Sequence, residues 1–127
     1  MDSLCILIRK PPYGTIQAAE GLRHLGGTLS TGLKVTAVLL DDGVYVAKDR
    51  QEIGDCGWTS LSDALRKTAG QSRMLREEGK TAPRLYVHGP SLAARGLVAS
   101  DLVPGLVVID DPDLASLLAE AAGVMVY

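Results

Sequence analysis

The sequence has no phenylalanine, and aromatic residues make up only 4% of its 127 positions. Its core must therefore be aliphatic, built from Leu, Val, Ile and Ala. Cysteine is nearly as scarce: Cys5 and Cys56 are too few for the disulfide framework of a small secreted domain, so both read as reduced thiols. No apolar run approaches the roughly 20 residues that span a bilayer, and the first residues lack the charged-then-apolar layout of a signal peptide. A cytoplasmic protein with no membrane partner is expected. Lys and Arg are scattered among acids and never form a block longer than a pair. With a net charge of −2 and a pI near 5.6, nothing calls for direct nucleic-acid binding. Internal repeats and low-complexity segments are absent, and the length suits one domain spanning residues 1–127.

What the chain does contain is an alternation of short apolar runs and amphipathic stretches. Leu4 to Ile8 is a continuous apolar run bounded by charge and proline, which suits a strand buried on both faces. From Thr15 onward Ala18, Ala19, Leu22, Leu25 and Leu29 recur at helical spacing, with Gly26-Gly27 weakening the last turns. Val35 to Leu40 predicts a second strand, closed by the turn signal Asp41-Asp42-Gly43. Residues 44–57 stay open between a short helix and a loop. Thr59 and Ser60 offer caps for a long helix whose apolar face is Leu61, Ala64, Leu65, Ala69 and Leu75, ending by Gly79. Arg84 to His88 and Val107 to Ile109 read as strands, with Ser91 to Ala94 a possible short helix between them.

Asp110-Asp111-Pro112-Asp113 reads as the capped start of a last helix carrying Leu114, Leu117, Leu118 and Ala121 inward, and Val124 to Tyr127 as a fifth strand. Strands that are continuously apolar and alternate with helices predict a parallel sheet covered on both faces. In such a sheet ligands bind along the edge formed by the carboxyl ends of the strands. The turns at Gly14-Thr15, Asp41-Asp42-Gly43 and His88-Gly89-Pro90-Ser91 all fall on that edge.

Candidate site residues follow from that placement. Tyr13, Gly14 and Thr15 could present free backbone amides and a hydroxyl to an anion, or could simply start a capped helix. GxGxxG and GxxxxGK[ST] loops are missing, so nucleotide binding has little support. Asp42, His88 and Ser91 are further binding candidates, His88 as an acid, base or anion contact near neutral pH. Cys5, inside a strand, should be an inert buried thiol. Cys56 lies in the glycine-flanked loop IGDCGW before a helix start that favours a thiolate, while Asp55 opposes it, which makes Cys56 the candidate catalytic residue. His24 and Glu20 read as a solvent-side pair. No cofactor is expected, and Cys5, His24, Cys56 and His88 lack the spacing of zinc ligands.

Four stretches, PPYGTIQAAEGL, LLDDGVYVAKDRQ, LYVHGPSLAARGL and LASLLAEAAGVMVY, together resemble the DsrE/DsrF-like family, and within it the DsrF or TusC branch. The resemblance runs over nearly the whole chain. It implies a three-layer α/β/α sandwich with a mostly parallel sheet of about five strands. It also implies assembly, either as a homo-oligomer (trimer or hexamer) or with DsrE- and DsrH-like subunits. Such assemblies exchange persulfide sulfur with sulfur-carrier proteins in tRNA thiolation or sulfur oxidation. In the catalytic members the acceptor cysteine ends the third strand shortly before an Arg-Gly pair, and lined up on Arg95-Gly96 that position here is His88. An imidazole cannot carry a persulfide. The resemblance therefore implies an accessory or scaffold subunit, with a Cys56 sulfurtransferase or an anion-binding homo-oligomer as the alternatives.

Overall fold

Ile6 and Ile8 point to one side of the first strand, Cys5 and Leu7 to the other, and all four are buried. The strand therefore lies at the centre of a two-sided core. The structure, a computed structural model, describes residues 3–54 and 60–127. Its elements are β1 (Ser3–Ile8), α1 (Gln17–Gly27), β2 (Lys34–Leu39), α2 (Leu61–Glu77), β3 (Arg84–His88), α3 (Gly89–Ala94), β4 (Val107–Ile109), α4 (Asp111–Glu120) and β5 (Gly123–Val126). The five strands pair in the order β4-β3-β2-β1-β5, and all four pairings are parallel. With helices on both faces this is a three-layer α/β/α sandwich.

The two faces are covered unequally. On one, Ile6, Ile8, Val35, Ala37, Leu39, Leu85 and Val87 pack against Ala18, Leu22 and Leu25 of α1, Leu61, Leu65 and Ala69 of α2, and Leu92 of α3. Full burial of side chains such as Leu25, Leu65 and Ile6 stabilises the fold by about 1.5–3 kcal/mol each. On the other face Cys5, Leu7, Val38 and Ile109 are covered by one helix, α4, whose Leu114, Leu117 and Leu118, with Ala121 just after it, point inward yet stay half-exposed. Val107, Val124 and Val126 extend that face to both sheet edges and are exposed.

Helix termini follow local chemistry where a cap is present. Asp110 Oδ1 accepts from Asp113 N at 2.9 Å and Asp113 Oδ2 accepts from Asp110 N at 3.4 Å, a reciprocal capping box. Pro112 lies in the first turn, where a missing N–H costs nothing. Ser60 caps α2, and the left-handed Gly79 (φ 78°) lets Lys80 N donate back to Leu75 O at 2.9 Å.

Two expectations fail. Thr15 does not cap α1: the helix starts at Gln17 with Ile16 in the cap position and no side-chain cap bond, and Thr15 stays exposed. Asp41-Asp42-Gly43 is not a simple turn but the start of a 3₁₀ segment, Asp41–Ala47. Tertiary contact is the reason: a Cβ on Gly43 would lie 1.9 Å from Ile8 O, and Gly43 N donates to Arg9 O at 3.1 Å and Leu40 O at 2.9 Å. Only glycine lets this segment press onto the end of β1.

Candidate functional site

Because all strands run the same way, Arg9, Asp41, His88 and Asp111 come together along one sheet edge. Ser91, buried in the first turn of α3, sits at the centre. Its hydroxyl accepts the N–H of Asp41 at 2.8 Å and lies 2.7 Å from His88 Nδ1. Asp111 Oδ1, a carboxylate oxygen that only accepts, lies 2.6 Å from Nε2, so the neutral ring carries its proton on Nε2 and its Nδ1 accepts from the Ser91 hydroxyl. His88 is thus held at both nitrogens with its side chain 12% exposed, whereas the Asp111 carboxylate is 75% exposed.

Ion pairs frame this chain of hydrogen bonds. Arg9 Nε donates to Asp41 Oδ2 at 2.8 Å, and Arg95 Nε donates to Asp42 Oδ1 at 3.0 Å. Arg95 Nη1 also donates to the Ser91 carbonyl at 3.1 Å, tying the Arg-Gly pair to the same turn. Every arginine on this stretch of edge faces a carboxylate.

Of the sequence-derived candidates, Asp42, His88 and Ser91 fall in this network. Tyr13 belongs to a separate contact: its hydroxyl donates to Gln51 Oε1 at 2.5 Å and accepts from Leu61 N at 3.2 Å, occupying one of the free amides at the start of α2. Gly14 is left-handed (φ 94°), and Gly14 and Thr15 are exposed. Cys56, with Asp55, Trp58 and Thr59, lies outside the described residues. Cys5 is fully buried, and burial pushes its thiol pKa up, which keeps it protonated. His24 does not pair with Glu20. Glu20 binds Arg23, and His24 Nδ1 meets the Tyr127 hydroxyl.

Sequence reasoning missed Arg9, Arg95 and Asp111 as members of the network, and placed Asp41 on this edge only as part of a turn. Arg95 was visible only as half of a motif, and Asp111 only as part of a helix cap. Among the described residues no group of three His, Cys, Asp or Glu is arranged to hold a metal ion, and no helix is long and apolar enough to cross a membrane.

Fold and site define a parallel α/β/α sandwich with a polar network on the carboxyl edge of its sheet. The chain belongs to the DsrE/DsrF-like family, which it matches over residues 2–127. It is 37% identical over 97 residues to the intracellular sulfur oxidation protein DsrF of Allochromatium vinosum, covering 76% of this chain and 65% of that protein. It is 28% identical over 122 residues to the uncharacterized protein MJ0989 of Methanocaldococcus jannaschii, covering 96% of both. Among solved structures, the ychN protein of E. coli superposes with a TM-score of 0.82 at 18% identity over 100% of both chains. MTH1491 of Methanobacterium thermoautotrophicum, of unknown function, gives 0.58 at 16% identity over 98% of this chain and 97% of that one.

Proposed function

We propose that this protein is an accessory or scaffold subunit of a cytoplasmic sulfur-relay complex, on the DsrF/TusC side of its family. The observation that carries this reading is His88. It stands at the end of β3, the position that the family resemblance assigns to the persulfide acceptor of catalytic members, and both its nitrogens are engaged by Ser91 and Asp111. A persulfide needs a thiolate sulfur, and Cys5 is buried and held protonated. The likeness to a protein named for intracellular sulfur oxidation supports the sulfur assignment, and tRNA thiolation is the other relay in which such a subunit could serve.

A scaffold must bind, and the sheet face under α4 offers the surface. Its half-exposed leucines and the exposed Val107, Val124 and Val126 suit burial against a second copy, in a trimer or hexamer, or against DsrE- and DsrH-like subunits.

The test is to incubate the protein with a polysulfide donor and measure intact mass, for wild type and for Cys56→Ser. Little or no added sulfur is the outcome expected of a scaffold. A stoichiometric persulfide that disappears in Cys56→Ser and passes to a second protein would instead establish a sulfurtransferase with Cys56 as its carrier.

A further inference from the structure

Among the described residues, the cations at the opposite end of the sheet are less fully paired. Around the amino ends of β2 and β3 a cavity of about 440 Å³ is lined by Lys34, Arg76, Lys80 and Arg84 together with the hydroxyls of Thr36 and Thr81, and by no acidic residue. In a chain of net charge −2 this gathers 4 of the 13 basic side chains around one space. Among the described residues neither Lys34 nor Arg84 has an ion-pair partner. Lys80 alone of the four is paired, with Glu78 at 3.1 Å. Arg76 Nη1 donates to a neutral group, Pro83 O, at 2.8 Å.

The arrangement is rigid where it matters. Thr36 and Arg84 are direct cross-strand partners in the β2–β3 ladder, and Lys34 is two residues from Thr36, so all three project to the α4 side of the sheet, where they line a second cavity together with Glu120, while Arg76 reaches the same end of the sheet from α2. Like charges held together on fixed strands repel one another, and an anion relieves that repulsion. A concave site lined by one sign of charge also concentrates counter-ions.

A second feature sets the shape of the ligand. Gly32, Lys80 and Thr81 also line an adjoining groove of about 730 Å³, whose other walls include the apolar Leu29, Met74 and Leu75 and the polar Gln71 and Glu78, the last paired with Lys80. Met74 is among the exposed large apolar side chains of the protein. A cationic cavity opening onto an apolar groove fits an amphipathic small molecule, and the combined size lies in the range of small-ligand sites. From this juxtaposition we infer that the amino end of the sheet binds an organic phosphate or sulfate. Its tetrahedral oxyanion lies among Lys34, Arg76 and Arg84, and its apolar body lies on Leu29, Met74 and Leu75. The inference is independent of the sulfur-relay reading, which concerns the other edge of the sheet.

Isothermal titration of the intact protein at constant ionic strength, with phenyl phosphate, phenyl sulfate and inorganic phosphate as probes, tests it. Phenyl phosphate or phenyl sulfate should saturate and bind more tightly than inorganic phosphate. Lys34→Gln and Arg84→Gln, both at exposed positions, should each weaken binding about tenfold through loss of a charge-assisted hydrogen bond. Met74→Ala should weaken phenyl phosphate and leave inorganic phosphate unchanged, and Lys10→Gln, at the far end of the sheet, should change neither. Absence of saturation up to about 10 mM in wild type, a concentration corresponding to very weak affinity, would overturn the site without reference to any variant. So would saturable binding that survives Lys34→Gln and Arg84→Gln but falls in Thr15→Val, which would move the anion to the carboxyl edge.

Discussion

His88 and Asp111, 23 residues apart in sequence, meet at 2.6 Å and join the end of β3 to the first turn of α4. The bond has a direction, because the Asp111 carboxylate only accepts, which makes Nε2 the donor and leaves Nδ1 to accept from Ser91. In the neutral ring, long-range ¹⁵N–¹H correlation spectra should therefore place the His88 proton on Nε2. Asp111→Ala should release that preference. Ser91→Ala should keep it and destabilise the protein by about 1–3 kcal/mol, since the Asp41 N–H and His88 Nδ1 both lose a buried partner. A His88 ring protonated on Nδ1 in the wild type would contradict the assigned chain of donors.

Gly43 should tolerate no side chain. Its added Cβ would overlap the Ile8 carbonyl at 1.9 Å, a contact that only backbone movement can relieve. Gly43→Ala is expected to cost more than about 3 kcal/mol in urea denaturation. Gly70→Ala is the control: it lies inside α2 with nothing within 4 Å of the added methyl, and it should stabilise by up to about 1 kcal/mol. Equal effects at the two positions would show that the segment after β2 is not wedged against β1.

Acid should weaken the anchoring of α2. The Arg66 guanidinium beside Asp49, helped by the Arg50 N–H, holds the Asp49 carboxyl below its ordinary range. A depressed carboxylate pKa contributes stability that is present in full above the unfolded-state value and is lost as pH falls through the folded-state value. Arg66→Gln should therefore lower the melting temperature at pH 7, and the gap to wild type should close as the solution is taken below the depressed Asp49 value. A gap that is independent of pH would assign the effect of Arg66 to packing instead.

The face under α4 should carry self-association or partner binding. Val107 is 56% exposed and Val126 59% exposed, so replacing either with Glu should cost the isolated chain little. In the assembly the same change would bury a charge in an apolar contact. Light scattering of the wild type is expected to give at least a dimer, with Val107→Glu and Val126→Glu shifting the mass toward the monomer. A wild-type monomer at micromolar concentration that also fails to bind DsrE- and DsrH-like subunits would end the scaffold reading.

Local pattern alone placed all five strands, the long α2 and the start of α4, because a short continuous apolar run and burial at every third and fourth residue are local signatures. It also marked Cys5 as buried, since a thiol in the middle of a continuous apolar strand has nowhere polar to go. The partners of the polar residues were a different matter. Asp111 reads as a helix-start residue and Arg95 as half of a motif. Only the strand order β4-β3-β2-β1-β5 sets α4 beside His88, and only the 3₁₀ segment after β2 sets Asp42 beside Arg95. The same holds for Gly43, whose role comes from the carbonyl of Ile8, 35 positions earlier in number, and for Lys34, Arg76 and Arg84, scattered along the chain and gathered at one end of the sheet. Local pattern determines which side of an element is buried, whereas charge and hydrogen-bond partners are chosen by the packing of elements far apart in sequence, which no short-range periodicity encodes.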